Sequence, residues 1–261
     1  MKFNHALAAC ALVGVSIASP SALAVTIDVT YSGSANFGSG PVGYASGAVA
    51  PNPNSHTSLV GVGIGGDSFT STNHTFDFSS TGQFNAWCVD IYHWMSGGAV
   101  TYTVDTGSDL AAELTTLRPG SPTGATRVNQ LIQLADEDYS AVRTKTDSAA
   151  FQLAVWAIAY GTADGSGHYH INTTDPYFRV DSGTVSSAFG VLANTWLAGL
   201  GTAPKTGNYA LTYLSDGTRE NTQDVIVFTD SPTVPEPASL ALLGLGLAGL
   251  SLTRRKKAYC R

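Results

Sequence analysis

Charge is scarce in this sequence. Asp, Glu, Lys and Arg make up 12% of its 261 residues, against about 25% in typical soluble domains. Gly, Ser, Thr and Asn fill the difference, as in many secreted β proteins. Positive charge is scarcer still: between Val25 and Asp230 stand seven Lys and Arg against 18 Asp and Glu, a formal net charge of −11. Such a balance repels a phosphate backbone, which excludes nucleic acid as a partner. Cysteine is limited to Cys10, Cys88 and Cys260, and the first and last lie in terminal segments that read as addresses. Cys88 is then left alone. In an oxidising compartment, where thiols usually pair, a lone cysteine points to an intermolecular bond or to special chemistry. No uninterrupted apolar run reaches the roughly 20 residues of a full membrane span.

Both ends carry targeting features. Lys2 supplies a positive start, residues 6–18 form an apolar stretch too short to span a bilayer, and Ala22-Leu23-Ala24 gives a small-x-small cleavage site. Cleavage by signal peptidase between Ala24 and Val25 removes residues 1–24. At the other end, Pro235-Glu236-Pro237 precedes an apolar run over residues 239–252, followed by Arg254, Arg255, Lys256 and Lys257. The two prolines forbid a helix across the motif, so an inserting helix starts cleanly after it. The basic cluster holds the far end of that helix on the cytoplasmic side. This order of parts resembles the PEP-CTERM sorting signal over about the last 30 residues. The resemblance implies a precursor inserted transiently in the inner membrane and cut near Pro-Glu-Pro by the membrane enzyme exosortase. The product is then expected at the cell surface, in the outer envelope or in the extracellular matrix.

Between these ends, residues 25–230 suit one β-rich domain with enough chain to bury a core. Alternating patterns at residues 26–31, 74–78 and 101–104 predict strands, separated by Gly- and Pro-rich stretches such as residues 32–43. The period then changes. Val128, Leu131, Ile132, Leu134 and Ala135 predict a helix over residues 127–142, a second helix is expected from a cap at Asp147 through Ala159, and a third over residues 185–200. Strands resume at residues 209–214 and 224–228. The class is α+β: a β-rich sandwich or barrel-like domain with a helical insertion, flanked by the signal peptide and the sorting segment at 231–261.

Two segments stand out from this low-charge background. Residues 84–92 predict a strand that sets Cys88 among aromatics, with Trp87 before it and Asp90 and Tyr92 after it. Residues 149–160 predict a helix apolar on every face, hence buried, in which Gln152 alone is outside the apolar and aromatic types. A buried carboxamide without partners costs roughly 1–3 kcal/mol, so its place there calls for a return. Together the two segments resemble the Cys-Gln thioester domains of bacterial surface adhesins, in which a strand Cys is joined to the Gln of a Thr-Gln-x-Ala-x-Trp helix. Here that motif reads Phe151-Gln152-Leu153-Ala154-Val155-Trp156, with Phe151 in place of Thr, and residues 223–227 are similar to the closing strand of those domains.

What the resemblance implies is an internal thioester formed when the Cys88 thiolate displaces ammonia from Gln152. Trp87, Trp156 and Tyr92 are expected to shield it, with Asp90 as the candidate polar helper. An amine or hydroxyl on a partner protein or exopolysaccharide then attacks the acyl carbon. Chain entropy assigns a crosslink over 64 positions roughly 4 kcal/mol. Such single-turnover chemistry needs no cofactor and is not enzymatic.

Two other readings stand beside it. The first is a non-covalent matrix-binding module for exopolysaccharide or protein, in which Cys88 and Gln152 are structural and exposed aromatics such as Tyr169 and Tyr177 contact the ligand. The second is a cysteine-dependent hydrolase or transferase using Cys88 and His93, although an offset of five on a strand puts His93 on the opposite face. His168 and His170 lack a third ligand, and residues 136–138 lack calcium-loop spacing and read as a solvated helix end.

Overall fold

The computed structural model describes residues 25–34, 37, 43–49, 58–71, 78–93, 95, 97–201, 207–217 and 222–231. The expected signal peptide, including Ala24, and the sorting segment from residue 232 on, with its Pro-Glu-Pro motif and basic cluster, lie outside them. So do residues 74–77 of one expected strand.

The chain runs through β1 (Val25–Ser34), β2 (Gly43–Val49), β3 (Ser58–Ile64), β4 (Asp67–Ser71), β5 (Gln83–Cys88) and β6 (Ala99–Asp105). It then turns helical as α1 (Ser108–Leu117), α2 (Gly124–Asp138), a 3₁₀ turn at Tyr139–Ala141 and α3 (Lys145–Tyr160). Next come β7 (Phe178–Val180), α4 (Ser182–Ser186), α5 (Ala188–Gly199), β8 (Tyr209–Ser215) and β9 (Val225–Asp230). Six strands close an antiparallel barrel in the order β1-β4-β5-β9-β8-β6, and β3-β2-β7 form a small second sheet. The architecture is therefore α+β, with a barrel rather than a sandwich. The helices enter between β6 and β8.

The barrel closes because alternation on each strand sends one set of side chains inward. Ile27 and Val29 of β1, Phe69 of β4, Tyr102 of β6 and Leu211 and Tyr213 of β8 are all buried. Outside the barrel, α3 is buried from Ser148 to Tyr160. Its start is fixed locally. Thr144 accepts from the Asp147 amide at 3.2 Å and Asp147 accepts from the Thr144 amide at 2.8 Å, a capping box worth about 1 kcal/mol. The cap is thus Thr144, and the expected cap Asp147 acts from the third helical position. Its end is held by Arg127, a buried α2 side chain whose guanidinium donates to the carbonyls of Ile158 and Gly161 at 2.5 and 3.1 Å. A cation there satisfies the last carbonyls and complements the helix dipole.

Several expectations shift. The expected helix at 127–142 is α2 plus the 3₁₀ turn, and the one at 185–200 is split into α4 and α5 by the Ser187 cap. Helix α1 and strands β2, β3, β4 and β7 were not anticipated. The predicted strand at 84–92 stops at Cys88, because the Asp90 carboxylate bonds the Tyr92 amide at 2.9 Å and bends the chain. His93 is consequently not on a strand. Phe78, expected at a strand end, lies in a bend. The acidic run at the end of α2 is not merely solvated: Asp136 accepts from the amides of Gly207 and Tyr209 and ties α2 to β8.

Candidate functional site

Cys88 is the last residue of β5, where the barrel wall becomes incomplete. On one side β5 pairs with β9, Cys88 opposite Val225, and the Val89 amide continues that ladder to the Asp224 carbonyl at 3.0 Å. Because bonds alternate along an antiparallel pair, the N–H and C=O of Cys88 point the other way, toward β4. But β4 begins at Asp67, opposite Ala86, and reaches no further. The preceding Gly65-Gly66 turn leads the chain away. Gly65 has φ +151°, and a Cβ on Gly66 would sit 3.0 Å from the Trp87 ring. The Gly66 amide donates to Ser148 Oγ at 2.8 Å, which seats the first turns of α3 against this gap.

Gln152 fills the missing rung. Its Oε1 accepts from the Cys88 amide at 3.0 Å and its Nε2 donates to the Cys88 carbonyl at 2.7 Å. The carboxamide thus takes the place of a neighbouring strand's peptide group, with its carbon across from the Cα that carries the thiol. Gln152 is 1% exposed and Cys88 5%. Every carboxamide atom that can hydrogen-bond has a partner, which answers the energetic question raised by burying it.

The thiol has partners of its own. Sγ lies 3.2 Å from Asp67 Oδ2 and 2.9 Å from Gln223 Oε1. Strand register explains both. Asp67 pairs with Ala86, which shares a strand face with Cys88, and Gln223 is two residues before Val225, the partner of Cys88 on β9. Gln223 is oriented in turn by donating to the Asp90 carbonyl at 2.9 Å. Burial first, and the Asp67 charge next, push the Cys88 thiol well above its ordinary range, so it rests protonated and donates. Burial also raises the half-buried Asp67 carboxyl to about 6, against the lowering effect of its bonds from Cys88 and Tyr31.

Among the other expected residues, Trp87 is fully buried and packs on Phe151 with ring centroids 4.6 Å apart. Trp156, one turn beyond Gln152, meets Phe178 edge-on, and Tyr92 meets Tyr160 edge-on. Phe151, in the position of the motif's Thr, also contacts Tyr139, Trp196 and Phe228 and is a hub of the aromatic core. The Asp90 carboxylate is engaged with the Tyr92 amide and with His93 Nδ1. The carboxylate on the sulfur is Asp67, and neither it nor Gln223 was anticipated: each is brought to Cys88 by pairing between strands distant in sequence. Tyr169, expected as an exposed aromatic, is 0% exposed and donates to Gln130 at 2.8 Å. Tyr177 is 41% exposed, with the Arg118 guanidinium stacked on its ring. His168 and His170 stand at the Asp164 turn, His170 Nε2 being 3.1 Å from Asp164. Among the described residues, no group of three or more His, Cys, Asp or Glu could hold a metal ion, and no helix is long and apolar enough to cross a membrane.

One comparison with known proteins bears on the class of the chain. Residues 233–256 match the family model of the PEP-CTERM protein-sorting motif. The match supports an exosortase substrate, a protein exported and sorted to the cell surface after processing by an exosortase-type enzyme. No curated protein and no solved structure matches the chain.

Proposed function

We propose that this exported surface protein forms an internal thioester between Cys88 and Gln152 and uses it for covalent attachment to an amine or hydroxyl on a partner. The observation that carries the reading is the seating of the Gln152 carboxamide on the Cys88 peptide. An amide is a poor acyl donor, and its attack by a thiol needs a fixed approach and a donor for the developing oxyanion. The Cys88 N–H, 3.0 Å from Oε1, is such a donor and is already in place before reaction. Near-complete burial of both residues protects the thioester from water. The chemistry is single-turnover, with no cofactor, and the sorting motif delivers the protein to a surface or matrix where a covalent bond serves adhesion. The nucleophile sits on a protein or an exopolysaccharide.

The intact mass of the purified protein tests this. A mass low by one ammonia, restored to the full value in Cys88→Ala and Gln152→Ala, is the expected result, and methylamine then adds and exposes one thiol. A full mass with a titratable Cys88 sinks the reading.

In that event a second reading applies, and the same hydrogen bonds favour it: Gln152 is an uncrosslinked clamp that completes the barrel wall, and the protein is a non-covalent binding module. The burial of Tyr169 leaves Tyr177 as its exposed aromatic. A cysteine hydrolase finds less support, because the recorded partners of Sγ are Asp67 and Gln223, while the His93 ring pairs with Asp90.

A further inference from the structure

We propose that Asp67 is the catalytic base and acid of this site, taking the Cys88 proton as the sulfur attacks and returning it to the departing nitrogen. The inference rests on the thioester reading and assigns the proton path that reading leaves open.

A protonated thiol is a weak nucleophile, so its proton must leave as the bond to carbon forms. Among the described residues, Sγ has two polar partners. Gln223 presents an amide oxygen at 2.9 Å, and its Nε2 is occupied by the Asp90 carbonyl, so its oxygen is held toward the sulfur. An amide oxygen can steady the S–H group but is far too weak a base to remove its proton. Asp67 Oδ2, at 3.2 Å, is the partner that can take it. The two carboxylates near Cys88 are thereby divided in role. Asp90 is committed to the Tyr92 amide and His93, whereas Asp67 touches the reacting atom and is only partly buried.

The step balances without an oxidant. The S–H bond breaks and its proton passes to Asp67, while Sγ bonds to the Gln152 carboxamide carbon and Oε1 takes up charge against the Cys88 N–H. The C–N bond then breaks, Asp67 gives the proton to the nitrogen, and ammonia departs. When an amine or hydroxyl later opens the thioester, its proton passes to Asp67 and on to Sγ. Among the described residues, the titratable groups around the pair are Tyr31 from β1, Tyr102 from β6 and Cys88 itself, with Asp90 acting on the thiol from the bend after β5; α3 and the segment before β9 present the neutral Gln152 and Gln223. A carboxyl raised to about 6 is charged and still basic at neutral pH.

The test follows the loss of ammonia by intact mass after full-length chain, isolated unfolded and reduced, is allowed to fold at a series of pH values. In the wild type the rate falls about tenfold per pH unit below pH about 6. In Asp67→Asn it falls about 100-fold or more and loses that inflection, and Asp67→Glu restores most of the rate. A folded Asp67→Asn protein that closes at the wild-type rate overturns the proposal. So does a wild-type rate flat from about pH 4 to 7, which decides the matter even where the Asn variant does not fold. Wild-type protein that never loses ammonia defeats the thioester reading itself, an outcome distinct from a thioester that forms regardless of position 67.

Discussion

Two buried polar junctions meet where the chain enters β9, and they are built on opposite principles. At the first, Gln152 closes the barrel wall with a neutral carboxamide on a neutral peptide. At the second, Tyr213 places its hydroxyl 2.6 Å from Glu113 of α1 and 2.6 Å from Asp224. One hydroxyl proton serves one acceptor, so the second short contact requires a proton on a carboxyl. Burial accordingly raises Asp224 to about 6, while its bonds from Tyr213 and the Asp216 amide act the other way. The junctions are neighbours: Gln223 touches the Cys88 sulfur, and the Asp224 carbonyl receives the amides of Val89 and Asp90. The lesson is that the first junction holds geometry at any pH, whereas the second stores a proton.

Breaking the first junction has the largest expected effect. In a Cys88→Ala background, which removes any crosslink but keeps the backbone, Gln152→Ala leaves a buried N–H and C=O unmet and opens a void. It costs about 4 kcal/mol by denaturant titration. Gln152→Glu in the same background converts the first junction into the second kind. A carboxylic acid keeps both bonds to Cys88, and a carboxylate loses the donor. A raised folded pKa means stability present below the unfolded value, near 4.3, and lost as pH rises through the folded one. We expect about 3 kcal/mol less stability at pH 8 than at pH 4, relative to the parent.

The smallest effect comes from removing the stored proton. Asp224 in the wild type follows the same sign, stabilising below about 4 and losing that contribution as pH rises to about 6. Asp224→Asn supplies an amide that donates to the Tyr213 oxygen, freeing the hydroxyl for Glu113, while its oxygen still accepts from the Asp216 amide. It is expected to gain about 2 kcal/mol at pH 7 and to flatten the stability profile between about pH 4 and 6. A variant as pH-dependent as the parent shows that the proton resides elsewhere.

Much of the helical layer was legible because its signals are local. The apolar face of α2, the apolar stretch of α3 over residues 149–160 with its one Gln, and the Thr144–Asp147 pair are each contained within a few residues. The same holds for the juxtaposition of Cys88 and Gln152, read through motif resemblance. Helix α1 was missed although Leu110, Leu114 and Leu117 have helical spacing, because its N-cap is Gly107 and the carboxylate that bonds its first turn, Asp105, stands two residues further back at the end of β6. Strand β2 mixes Gly, Ala and Ser with little alternation, β3 alternates Val and Ile with Gly rather than with polar residues, and β7 is three residues long. Asp90 was expected as a polar helper because it is near Cys88 in sequence; its carboxylate bonds Tyr92 and His93, and the carboxylate on the sulfur is Asp67. Asp67 lies 21 positions and Gln223 135 positions from Cys88, and only strand pairing brings them together.

By itself the sequence determined the sorting motif near its C-terminal end and the α+β class, and it pointed to Cys88 and Gln152 as a pair. Each of these depends on composition, order or short spacing, which a linear chain displays directly. The tertiary structure alone decided that the barrel closes, that β4 stops short of Cys88, and that a side chain from α3 supplies the missing rung. It also chose which carboxylate meets the sulfur. The physical reason is that register and termination of paired strands depend on contacts between distant segments, and backbone bonding groups have no residue-specific signature until a partner reaches them or fails to.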